Sequence, residues 1–171
     1  MTHHNTSDHA GERREVLLFV GLNPPLTSGT RTRGRVELAR TLLGFEVVEH
    51  GNLFAHATKD LAGITTLGVS EDGWSAARSE LTRQLRRAQG ALLGYGVQSP
   101  SGAAGRLFKD QVEWLEAELT QVAVPVWVVG GQPRHPSRWQ RFTHRAHFGT
   151  PFDVALSAAL RRRDVSTNEP P

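Results

Sequence analysis

The sequence predicts an α/β fold: a three-layer α/β/α domain around a central four-stranded, mostly parallel sheet. Three observations carry that prediction. Short continuous apolar runs at 15–20, 91–95 and 125–129 alternate with segments of helical spacing. That is the pattern of strands buried on both faces by crossover helices. Each run stops at a glycine, at Gly21, Gly96 and Gly130, where a chain leaving a sheet needs to turn. The length, 171 residues, is that of one domain, and a domain of about 150 residues buries roughly 70% of its unfolded surface without needing staples.

The elements follow in order. Residues 1–14 are polar, carry His3, His4 and His9, and show no periodicity; a disordered tail is expected there. Residues 15–20 (EVLLFV) form the first strand, residues 35–43 the first helix, and residues 45–49 a β-prone second strand. Residues 55–73 read as a long loop, and long loops are often functional. A helix over 75–87 places Ala77, Leu81 and Leu85 on one face, and a longer one over 104–119 aligns Phe108, Val112, Leu115 and Leu119. The last strand is 125–129 (PVWVV), and the last helix spans 151–163, with Pro151 suited to its first turn. Residues 165–171 end in Pro-Pro and read as a frayed tail. The folded unit expected is therefore 15–164.

Composition excludes several chemistries. There is no cysteine, so disulfides, zinc-thiolate sites, iron–sulfur clusters and a thiol nucleophile are ruled out. No apolar run approaches the roughly 20 residues that span a bilayer, and the absence of cysteine fits a reducing compartment, so a cytoplasmic location and no membrane partner are expected. The charge is +3, but its distribution says more. All the basic side chains except Lys59 and Lys109 are arginines. Residues 132–163 hold seven Arg and three His against one acid, Asp153, and residues 30–40 hold four Arg against Glu37. Guanidinium forks pair bidentately with phosphate oxygens, so a polyanion is the expected partner class.

Ligands of such sheets bind beyond the carboxyl ends of the strands, and two segments expected there carry chemistry. In the first, Gly21-Leu22-Asn23-Pro24-Pro25, the two prolines fix the backbone and hold Asn23 at a set angle; a carboxamide orients water or a carbonyl but is a poor base. In the second, Gly130 to Trp139, an imidazole (His135), a hydroxyl (Ser137) and two guanidiniums (Arg134, Arg138) stand between prolines. His135 can donate to a developing anion or act as acid or base. Trp139 can stack on a base or wedge beside one, or anchor a helix. His50, His56 and Asp60 form a metal site only on paper. No G-x-S-x-G, P-loop or G-x-G-x-x-G is present.

Taken in order, these segments resemble the uracil-DNA glycosylase superfamily. LLFVGLNPPL resembles its first motif, in the Gly-x-Asn-Pro form of the mismatch-specific branch. SGTRTRGR resembles an Arg-Thr-Gly-Arg run of another branch. GNLFAHAT resembles the segment whose Asn reads the uracil edge, QPRHPSRW the His-Pro-Ser second motif, and HFGTPFDVALSAAL the stretch leading into the final helix. The resemblance spans 16–160. A second resemblance, to an uncharacterised family with Leu-Asn-Pro near its start and Pro-Arg-His-Pro near its end, implies the same architecture.

The resemblance implies an enzyme that removes uracil or another damaged base from DNA, with no metal and no cofactor, as a monomer, on single-stranded or mismatched DNA among its substrates. Asn23 would orient the attacking water and His135 would hydrogen-bond the departing base. Asn52 would read the base edge, with Phe54, Gly21 and Leu22 completing the base pocket. Ser137, Arg138 and Arg134, with Arg31 and Arg33, would grip DNA, and Trp139 stands where the superfamily has an intercalating Leu. The chain departs from the pattern at Pro25, where the superfamily has Gly. It departs again at 26–43, which lacks the aromatic that stacks on uracil, and at Arg138, which replaces Pro or Gly. These departures bear on base stacking and specificity. Two alternatives stand beside the enzyme: a nucleic-acid-binding protein of this fold that has lost catalysis, and an enzyme acting on a nucleotide-like small molecule.

Overall fold

The computed structural model describes residues 14–165; the two expected tails lie outside that range but for their innermost residues. The chain runs β1 (Val16–Gly21), α1 (Thr30–Leu43), β2 (Val47–Asn52), α2 (Leu61–Leu67), α3 (Asp72–Leu85) and β3 (Gly90–Leu93). It continues through α4 (Gly102–Val122), β4 (Val126–Val129), a single 3-10 turn (Pro136–Arg138), α5 (Trp139–Ala146), α6 (Phe152–Ala159) and β5 (Leu160–Arg163). The sheet order is β2-β1-β3-β4-β5. The first four strands are parallel, and β5 runs antiparallel to β4 in the register Val129↔Leu160 to Val126↔Arg163.

Strand β1 explains the layers. Successive side chains of a strand face opposite ways, so Leu18 and Val20 join Ile64, Trp74, Leu81 and Leu115 on one face of the sheet. Leu17 and Phe19 join Val36, Ala39, Trp139 and Leu156 on the other. Helices α2, α3 and α4 therefore cover one face and α1, α5 and α6 the other, which makes every residue of β3 buried. Fully burying a Leu or Phe contributes about 1.5–3 kcal/mol, and both faces of the central strands gain it.

One buried polar side chain joins these layers. Gln111 of α4 has no solvent exposure. Its amide nitrogen donates to Leu53 O (2.8 Å) and Trp74 O (3.0 Å), and its carbonyl accepts from Arg78 Nε at 2.7 Å. Replacing Gln111 by Leu strands two carbonyls, at about 1–3 kcal/mol for each unsatisfied group. A loss of about 2–3 kcal/mol is expected, read from the urea midpoint at constant slope; an unchanged midpoint would remove the bridging role.

The observed fold corrects the expectation in three places. The sheet has five strands, not four: the helix expected over 151–163 ends at Ala159, and 160–163 pairs with β4. Long-range contacts decide this, because Gly130 N–H donates to Ala159 O at 2.8 Å, and a run of Leu-Arg-Arg-Arg has no strand signal of its own. The stretch 55–73 is not an open loop, since α2 lies within it, capped by Asp60 accepting from Gly63 N–H at 3.0 Å. Residues 139–146, where no element was expected, form α5.

Candidate active site at the carboxyl ends of the strands

Connections leave β1 and β3 toward different sides of the sheet, with β2 outside β1 and β4 outside β3. The crevice between their carboxyl ends is the switch point at which ligands of open α/β sheets bind. Asn23 follows β1, the Gly94–Gly96 turn follows β3, and His135 follows β4, one strand further along. Neighbouring strands lie about 4.8 Å apart, so the Asn23 and His135 segments flank the β3 turn from either side. Gly94 allows close packing here, because a Cβ there would lie 2.3 Å from the Phe19 ring. Gly96 N–H donates to Pro133 O at 2.7 Å, tying the β3 turn to the chain leading into His135.

Asn23 is anchored from the β2 side. Its amide nitrogen donates to His56 O at 3.1 Å and Thr58 Oγ1 at 2.8 Å. Thr58 Oγ1 in turn donates to Asp60 O at 2.9 Å. Both amide hydrogens are thus engaged, and Oδ1 is the atom left to accept a hydrogen bond. Asn52 ends β2 opposite Gly21, and its Oδ1 stands 3.3 Å from where a Gly21 Cβ would be. The carbonyls of Gly21 and Leu22 are occupied, accepting from Leu53 N–H (3.0 Å) and Phe54 N–H (2.8 Å).

The second segment turns sharply at Gly130, where φ is +64° and the Phe142 ring fills the place of a Cβ at 2.2 Å. His135 then caps the 3-10 turn: its Nδ1 accepts from Ser137 N–H at 3.1 Å and lies 2.8 Å from Ser137 Oγ. A backbone N–H can only donate, so Nδ1 is the acceptor and the proton of the neutral ring sits on Nε2. Burial holds the ring below its usual value near 6.5, and the guanidiniums of Arg138 and Arg35 lower it further. The result is a neutral imidazole whose Nε2–H is a donor. Arg35 of α1 fixes this turn from across the molecule, donating to Pro136 O at 2.8 Å and Gln140 Oε1 at 2.9 Å.

Comparison with models of protein families, with curated proteins and with solved structures finds no match.

The geometry of the site redistributes several expected roles. Trp139 is fully buried, and its Nε1 donates to Arg134 O at 2.7 Å; it anchors α5 in the core and is not a wedge for DNA. Phe54 is also fully buried, packed on Trp74 at 4.7 Å between ring centroids, and is not a stacking platform for a base. The Ser137 hydroxyl lies 2.8 Å from His135 Nδ1 and the residue is exposed, so its side chain is tied to the imidazole. Arg134 lies over the Phe142 ring at 4.3 Å. Arg138 is exposed, as are Arg31 and Arg33 on the first turn of α1. That turn has no acid and no side-chain cap, an arrangement unfavourable to an isolated helix and favourable to an approaching anion. A cleft of about 480 Å³ opens beside the β3 turn, lined in part by Tyr95, Gly96, Phe108, Lys109, Gln132 and Pro133. It adjoins the His135 segment, but neither Asn23 nor His135 lines it.

Thr58, Arg35 and Gln140 belong to the site and carry no signal in the sequence, because their partners lie 35 to 105 residues away. Among the described residues no three His, Asp or Glu side chains gather closely enough to hold a metal ion, and His50, His56 and Asp60 form no such group. No helix of the described residues is long and apolar enough to cross a membrane.

Proposed function

We propose that this protein is a DNA glycosylase-like hydrolase, of the uracil-DNA glycosylase type suggested by its motifs, which removes uracil or another damaged base during DNA repair. The observation that carries the reading is the state of His135: a neutral ring whose Nδ1 is occupied by Ser137 N–H, leaving Nε2–H to donate. Cleavage breaks the bond between C1′ and the base nitrogen, and the electron pair leaves with the base as an anion. A donor at the base carbonyl stabilises that charge as it develops. Water adds its oxygen to C1′, oriented by the free Oδ1 of Asn23, and its proton passes to solvent. The base must first be turned out of a duplex, at a cost of a few kcal/mol; Arg138, Arg31 and Arg33 hold the phosphates while it is. No metal or cofactor is required by this chemistry.

A second reading is favoured by the burial of Phe54 and Trp139: a nucleic-acid-binding protein of this architecture without turnover. Single-turnover assays separate the two. Labelled strands would carry uracil alone and opposite G or A, with hypoxanthine and thymine mismatches beside them, and alkali would reveal abasic sites. Cleavage is expected at one of these bases. Asn23→Ala should slow it by about 10- to 100-fold, as expected when a reacting water is misplaced, with DNA affinity unchanged. No cleavage of any substrate, or a fully active Asn23→Ala variant, would overturn the enzymatic reading or the role of Asn23 respectively.

A further inference from the structure

Helix α5 has two faces of different kinds. Trp139 and Thr143 are buried in the core. Arg138, Arg141 and Arg145 are exposed and spaced three and four residues apart, which aligns them along the opposite side. Among the described residues none of the three is held in an ion pair. Just past the helix end stands Phe148, 84% exposed, its ring set edge-on to His144 at 5.3 Å. The row from Arg138 to Arg145 rises about 10 Å along the helix, and it begins at the turn that holds His135.

Helix stability does not account for this face. Arg145, in the last turn, complements the helix dipole, but Arg138 and Arg141 stand at the first turn, where cations are unfavourable and no acid balances them. An aromatic side chain exposed to this extent contributes nothing to the core. Guanidiniums in a row followed by an open ring match the two needs of an unpaired polynucleotide: a cationic track for the phosphates and a platform for a base. An anionic membrane also attracts cations, but α5 has its apolar face in the core and offers a bilayer only Phe148.

We infer that the exposed side of α5 binds unpaired nucleic acid, with Arg138, Arg141 and Arg145 following the backbone and Phe148 stacking on a base. This rests on, and extends, the nucleic-acid reading of the adjoining His135 site. Fluorescence anisotropy of labelled oligo-dT and oligo-rU over a range of salt concentrations tests it. The Arg141→Ser/Arg145→Ser double variant should reduce the slope of log affinity against log salt by about 1.4, two released counterions on a single strand. Phe148→Ala should weaken binding by roughly 5- to 100-fold. Arg86→Ser/Arg106→Ser, which removes two exposed arginines away from α5, should change neither as much. Wild-type affinity in the α5 variants, equal losses in the control, or binding to phosphatidylserine vesicles in place of either oligonucleotide would overturn the inference. Binding that depends on α5 without cleavage of any lesion would uphold it and remove the enzymatic reading. Cleavage with unaltered binding by the α5 variants would do the reverse.

Discussion

Trp139→Ala should lower the stability of the protein by about 3–5 kcal/mol, the range for truncating a buried Trp or Phe. The side chain has no exposure and packs with Leu17, Phe19, Val36, Leu92 and Leu156. Its Nε1–H also satisfies Arg134 O at 2.7 Å, two bonds from the turn that holds His135. The loss therefore combines a cavity with an unpaired carbonyl. Urea or thermal denaturation checks the size. A wedge residue behaves differently: its truncation leaves stability within about 0.5 kcal/mol, as for surface positions, and weakens DNA binding alone. A stable Trp139→Ala variant with impaired binding would return this residue to the surface role that its position in the motif suggests.

His135→Ala should reduce single-turnover cleavage by about 10²–10³-fold, equivalent to about 2.7–4 kcal/mol, the usual effect of deleting one donor to a developing anion. Binding of undamaged DNA should change little. The same ring gives a pH dependence whose sign follows from its environment. Burial, Arg138 and Arg35 depress its proton affinity in the folded state; burial and Arg33 do the same to His50, against a smaller opposing effect of Glu37. For both rings the unfolded chain binds the proton more readily, so stability is fully present above about pH 6.5 and declines as pH falls toward the folded values. Protonation also fills the Nδ1 lone pair of His135 and releases Ser137 N–H. Cleavage should accordingly fall on the acid side of pH 6.5 together with stability, and His135→Ala should flatten the part of the stability profile that this ring causes. A rate that rises as pH falls through this window would contradict a neutral donor.

The sequence and the structure agree most closely where burial is two-sided. Strands β1, β3 and β4 are legible because both faces are covered and the residues have no polar alternation. Strand β5 is not, because Arg161 to Arg163 take their conformation from β4. Helix α5 has only a short local signature, Trp139, Phe142 and Thr143 at helical spacing after Pro136, and its eight residues carry no capping side chain to mark a start. In the site, Asn23 and His135 are visible as polar residues set among prolines and glycines at strand ends. What holds them is not: Thr58 for Asn23 and Arg35 for the His135 turn come from elements far along the chain, and no local pattern encodes a long-range hydrogen bond. Trp139 as a wedge and Phe54 as part of a base pocket failed for one reason, while the reading of Trp139 as a helix anchor holds. An aromatic beside a motif looks the same in a sequence whether it faces solvent or core.

The edge strand β5 has a consequence beyond the site. A sheet border offers unpaired N–H and C=O groups to any other extended chain, including a second copy. Here that border is a row of three successive arginines, of which, among the described residues, only Arg163 is neutralised, by Glu116 at 2.8 Å. The opposite border, β2, carries Glu49 and His50 at its middle. Two copies brought together through β5 would align cation against cation, so growth of the sheet by strand addition is opposed by repulsion at this edge and interrupted by polar side chains at the other. The charged and polar side chains at both borders thus discourage ribbon-like aggregation.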